Sequence, residues 1–155
     1  MLDATVLIAG IGWPRWSYEV LRHAAQGDFR LVLSPLVIEQ ARKHRARIAP
    51  NRLSDFEEWL QACGAEIEPD PSAKSVTANQ RLVRQTNDVP VALAAIAAEV
   101  DYFVSEDKDF TETTADNPHL HRQLRIMRPV IFLREVMEWT SDALEQVRRR
   151  TWSDI

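Results

Sequence analysis

Asp3, Asp88 and Asp107 each stand where an apolar run begins or ends, rather than on a polar face, and Glu39 lies early in a helix-like run that follows an apolar strand. Such junctions collect at one edge of a parallel sheet, beyond the carboxyl ends of its strands, where open α/β sheets form their ligand sites. Like charges brought together there repel: two carboxylates about 4 Å apart cost about 4 kcal/mol at an effective dielectric near 20. A cation removes that cost. Oxygen-only ligands suit Mg²⁺ or Mn²⁺ rather than zinc, and such an ion orients water, lowers its pKa and stabilises the oxyanions of a phosphodiester under attack. Hydrolysis of a nucleic-acid backbone fits these requirements. Taken singly, each acid has an ordinary alternative. Asp88 reads as a helix cap, Glu39 as an exposed helical carboxylate, Asp107 as a turn or salt-bridge residue, and Asp3 as a terminal surface charge.

Apolar strand-like runs alternate with longer helical ones, the pattern of a parallel sheet covered by helices. Strands are expected at 1–5, 29–33, 65–68, 101–105 and 125–127, with 6–9 leading from the first strand toward a turn at Gly10 and Gly12. Pro14 opens a helix that ends at Gly27, and Ser34-Pro35 caps another that reaches about Ala49. Ser54 and Glu57 have capping-box spacing for a helix to Gly64. Past the Pro69-Asp70-Pro71-Ser72 loop, a helix is expected over 73–85, then an apolar one starting at Asp88 and Pro90. Two terminal helices run through Trp139 and from Ser141 to Thr151; their apolar positions Val136, Trp139, Leu144 and Val147, with Trp152 beyond, suit a core face or a homodimer surface. The expected fold class is α/β, as one domain over 1–155.

Composition narrows the setting. A hydrophobic share of 45% and a charged share of 27% suit a globular protein, and no apolar run approaches the ~20 residues of a membrane span. Asp3 interrupts the first apolar stretch, which argues against a secretory leader, and a lone Cys63, read as a small buried hydrophobe, agrees with a reducing compartment. A cytoplasmic location is the expectation. The net charge of −4 gives no general attraction to nucleic acid. Basic residues gather instead at Arg42, Lys43, His44, Arg45 and Arg47, at Arg122, Arg125 and Arg128, and at Arg148, Arg149 and Arg150. Arg42, Lys43 and Arg45 are candidate contacts to an RNA backbone. Trp13 and Trp16 offer rings for base stacking or for packing, whereas His119 and His121 lack further ligands for a metal site.

In order, the segments LDATVLIAG, SPLVIEQ, NDVPVALAAIAAEVDYFVSEDKDF and IMRPVIFL resemble the successive motifs of PIN domains, over most of the chain from Leu2 to Leu133. The resemblance implies a three-layer α/β/α sandwich with a central, mainly parallel sheet. It also implies an acidic pocket of Asp3, Glu39, Asp88 and Asp107, in which Asp3, Asp88 and Asp107 hold Mg²⁺ or Mn²⁺ and Glu39 positions water or a second ion. Asp109 matches the second aspartate of the family's D-x-D segment, and Thr5 and Ser105 its small polar positions, so these three have supporting roles. Ala4 stands where threonine is usual, and Glu106 where glycine is common, adding a carboxylate that joins metal binding or alters the loop. The implied activity is a metal-dependent endoribonuclease, commonly the toxin of a VapBC-like toxin–antitoxin pair; a cognate antitoxin would set a basic side chain near the carboxylates or cover the basic rim. A haloacid-dehalogenase-type phosphatase would need a carboxylate where Thr5 stands. The alternative that keeps the acids is a non-catalytic PIN-like module that binds RNA or a protein.

Overall fold

Capping chemistry sets the helix starts in the computed structural model, which describes residues 1–115 and 117–155. Asp3 Oδ1 accepts the Ala4 N–H at 2.8 Å and starts α1 (Ala4–Gly12). Helix α2 (Trp16–Gln26) stops where Gly27 takes the left-handed conformation at φ 77°, which a residue with a Cβ adopts only under strain. Strand β1 (Val32–Leu33) runs straight into Ser34, whose hydroxyl accepts the Val37 N–H and opens α3 (Pro35–Ile48). There follow α4 (Leu53–Ala62), β2 (Glu66–Ile67) and α5 (Ala73–Ala78). Helix α6 (Val89–Ala97), β3 (Phe103–Val104), α7 (Lys108–Thr111), α8 (Leu120–Gln123), β4 (Ile126–Met127), α9 (Pro129–Glu135) and α10 (Ser141–Val147) complete the order.

The central sheet expected from the sequence does not form. Helix takes 58% of the structure and strand 6%, so the α/β/α sandwich gives way to a mainly helical fold. Its strands make two separate parallel pairs, β1 with β2 and β3 with β4, and Leu2 adds one isolated parallel bridge to Val104. The reason is local. A strand stops where the next cap or proline begins, because those residues end the ladder and start a helix. Here Ser34-Pro35 follows β1, the Asp107 cap follows β3, and Arg128-Pro129 follows β4. The expected first strand is cut shortest: Asp3 caps α1, so the run over 6–9 is helical rather than a lead into a turn. Val32, Leu2 and Val104 share the lining of a cavity of about 140 Å³ instead of a continuous ladder. The helix expected over 73–85 is likewise confined to α5, with a 3₁₀ turn at Thr86–Asp88 before α6.

One hydrophobic cluster draws on residues from Met1 to Leu144, with Phe56, Phe103 and Phe110 fully buried in it. Helices α1 and α2 cross closely because Gly10 has no side chain: a Cβ there would lie 2.5 Å from Leu21 Cδ1 and 3.0 Å from the Ser17 carbonyl oxygen. Leu144 and Val147 are buried, with Val136 and Trp139 packed against the core, so the terminal apolar pattern serves the interior. Cys63, a free thiol, is buried at the end of α4, with Sγ 3.3 Å from the Leu60 carbonyl. Among the described residues no helix is long and apolar enough to cross a membrane.

Candidate metal centre

The β3–α7 junction is built around Asp3. Its Oδ2 accepts hydrogen bonds from the hydroxyls of Thr5 (2.8 Å) and Ser105 (2.7 Å). Both hydroxyls then accept in turn: Thr5 Oγ1 from the Glu106 N–H at 3.1 Å, and Ser105 Oγ from the Asp107 N–H at 2.9 Å. A buried carboxylate at the head of α1 therefore fixes the backbone of the segment that carries Glu106 and Asp107. Burial pushes the Asp3 carboxyl above its ordinary range, and the bonds from Ser105, Thr5 and Ala4 offset part of that rise.

Asp107 Oδ1 accepts the Asp109 N–H at 2.8 Å, which folds the next turn so that both carboxylates face one side. Asp88 comes from the start of α6, where Val89-Pro90 opens the helix without any hydrogen bond from the Asp88 side chain. The cap reading of Asp88 fails on that geometry. One oxygen from each of Asp88, Asp107 and Asp109 lies within 4.8 Å of the others. Burial first, then the charges of Asp107, Asp3 and Asp109, push the Asp88 carboxyl up from 3.8 to about 7. These three residues could hold Mg²⁺ or Mn²⁺ once their side chains converge on it, and no nitrogen or sulfur donor belongs to the group.

The residues that the sequence brought forward are placed unequally. The charge of Asp107 acts on Asp3, and those of Asp107, Asp3 and Asp109 act on Asp88; Asp109 stands with Asp88 and Asp107 in the close group of carboxylates, while Asp3 holds the segment through Ser105. Thr5 and Ser105 supply that anchoring. Glu39 is exposed and bound to Lys43 at 2.9 Å; Lys43 and Arg42 hold its carboxyl below the usual range. Arg42 pairs with Glu57 at 2.6 Å. Arg45 is buried, 2% exposed, with Nε and Nη2 lacking any hydrogen-bond partner, so it does not reach outward to a backbone. The basic groups that do flank the acids are Arg84, with Nε 3.7 Å from Asp109 Oδ1, and Arg128, 3.4 Å from Glu106. Arg84 carries no mark in the sequence; only the turn between α5 and α6 brings it to Asp109. Glu106 turns away from the group of three acids, accepting from Ser17 Oγ at 3.1 Å as well as from Arg128.

No family model matches the chain, and no match is found among curated proteins or solved structures.

Proposed function

We propose that this chain is a divalent-metal-dependent endoribonuclease, with Asp88, Asp107 and Asp109 as ligands of Mg²⁺ or Mn²⁺. The observation that carries the reading is the approach of these carboxylates to within 4.8 Å of one another with Asp88 pushed up to about 7. A structural cap does not require such mutual repulsion, whereas a bound cation turns it into affinity. The ion, when bound, supplies an activated water and neutralises charge on the scissile phosphate. The chain's own residues hold the geometry. Asp3 fixes the Asp107 backbone through Ser105, Asp107 fixes Asp109, and Arg84 beside Asp109 is placed to meet a phosphate oxygen.

RNA as substrate, the toxin role in a VapBC-like pair with a cognate antitoxin, and a cytoplasmic setting rest on the resemblance of the four ordered motifs to PIN domains. The test is cleavage of a panel of labelled RNAs and single-stranded DNAs with Mg²⁺, Mn²⁺ or chelator, comparing the parent with Asp88→Asn and Asp107→Asn. Metal-dependent cutting of RNA, lost in both variants, is the expected result. Absence of cutting together with absence of heat on calorimetric titration with Mg²⁺ and Mn²⁺ would overturn the proposal and leave a non-catalytic binding module.

A further inference from the structure

The acidic group accounts for neither the exposed Trp13 nor the arginines that gather beside it. Trp13, Arg15, Ser17, Glu106, Arg128 and Arg148 line a hollow of about 510 Å³, within the range of ordinary small-molecule sites. Its three guanidinium groups come from separate segments: ahead of α2, ahead of α9, and just past α10. Glu106 is the only carboxylate among the lining residues. The acidic contacts of Arg128 and Arg148 are long and exposed, 3.4 Å to Glu106 and 3.5 Å to Glu145, and the Arg15 side chain donates to the Arg150 carbonyl at 3.4 Å. On a chain of net charge −4, this concentrates positive charge on one hollow, complementary to phosphate.

Trp13 gives the hollow an aromatic platform. Its backbone N–H donates to the Ala9 carbonyl at 2.9 Å, and 51% of the residue is exposed. The unpaired Arg45 guanidinium lies 5.9 Å from the centre of its ring, within cation–π range. With half of the residue exposed, Trp13 offers surface on which a base can stack. The hollow and the acidic group are carried by neighbouring residues, Glu106 in the one and Asp107 in the other. Thr5 and Ala9 are four residues apart and share one face of α1, and Trp13 follows as the extended residue that ends the helix. Thr5 accepts the Glu106 N–H beside Asp107, and Ala9 and Trp13 line the hollow.

We propose that this hollow binds single-stranded RNA, with a base stacked on Trp13 and the backbone held by Arg128 and Arg148, so that the strand runs along α1 to the acidic group. The proposal deepens the ribonuclease reading and rests on it for the direction of the strand. Stacking on one aromatic ring and contacts to a few phosphates make such a site tolerant of sequence.

The test is fluorescence anisotropy with labelled single-stranded oligonucleotides of uridine and of adenosine, on the full chain with chelator present so that no metal-dependent cutting intervenes. Trp13→Ala is expected to weaken binding roughly 5- to 100-fold, the range of one base–aromatic stack, and Trp13→Phe to retain most of it. Arg128→Gln and Arg148→Gln should each lower the slope of log affinity against log salt by about 0.7, a change that a merely structural role would not produce. RNA affinity indifferent to all four substitutions, in variants whose thermal unfolding matches the parent, would overturn the subsite. So would absence of RNA binding combined with self-association, measured by sedimentation, that Trp13→Ala abolishes; the hollow would then be a protein contact. Cleavage of RNA by the parent is read separately. Binding that depends on Trp13 without cleavage keeps the subsite and sinks the catalytic reading, whereas cleavage without such dependence does the reverse.

Discussion

Replacing Asp88 by Asn removes a charge but very little structure. The side chain makes no capping hydrogen bond, and asparagine has nearly the same shape. In the parent, burial and three neighbouring aspartates raise the Asp88 carboxyl from 3.8 to about 7. A raised carboxylate pKa means that the folded state holds its proton more tightly than the unfolded chain. Its contribution to stability is therefore complete below about pH 4 and is lost as pH rises through about 7. The rise corresponds to a ceiling of about 4 kcal/mol at about 1.4 kcal/mol per unit. Solvent screening at this partly open site reduces it to about 1–3 kcal/mol. Asparagine does not titrate. At pH 8.5 in chelator, Asp88→Asn should melt about 2–10 °C above the parent, with a much smaller gap at pH 5. The Met1 amine, lowered by burial from 8.0 to about 5, has the opposite pH dependence, but it is common to both proteins and cancels in the difference. Saturating Mg²⁺ should raise the melting temperature of the parent and leave the variant unmoved. Thermal denaturation at the two pH values, with and without metal, decides the matter. A variant less stable than the parent at pH 8.5 without metal would refute the argument, since Asp88 would then be stabilising the fold as a charge.

In the proposed site Mg²⁺ would displace the proton of Asp88, so calorimetric affinity should rise about tenfold between pH 6 and pH 8 and level off above that; a flat profile would remove Asp88 from the proposed ligands. Ser105→Ala takes away both a donor to Asp3 and the acceptor of the Asp107 N–H. It should cost about 1–3 kcal/mol in denaturant unfolding and weaken Mg²⁺ binding together with it. Gly10→Ala forces a methyl group against Leu21 and the Ser17 carbonyl, and should lower the melting temperature by about 2–10 °C. Because the Ser17 oxygen is backbone, adding Leu21→Ala should not restore the parent value.

The residue types were enough to single out the acids. Asp3, Asp88 and Asp107 interrupt or border apolar runs, and a charge in such a place requires a partner, a cap or a ligand whatever the fold. Helix starts with a strong local device were equally legible: Ser34-Pro35 opens α3 and Val89-Pro90 opens α6 close to where the sequence puts them. These features depend on neighbours a few residues away, and such interactions are written along the chain. Strand length is different, because a ladder depends on a distant partner and on how soon the next cap ends it. The apolar run after Asp3 satisfies its own backbone as α1 and needs no sheet, which is why the expected central sheet dissolved into two short pairs.

Tertiary structure alone decided which groups meet. It set Asp109 beside Asp88 and Asp107, made Asp3 the anchor, left Glu39 with Lys43, and brought Arg84 to the acids from a segment that carries no mark of its own. It also buried Arg45 and gathered Trp13 with arginines from three segments into one hollow. The physical reason is common to all of these: electrostatic and stacking interactions act over a few ångströms of space. A sequence fixes which groups carry charge or rings, but only the packing of α1 against α2 and of β3 against β4 decides which of them meet.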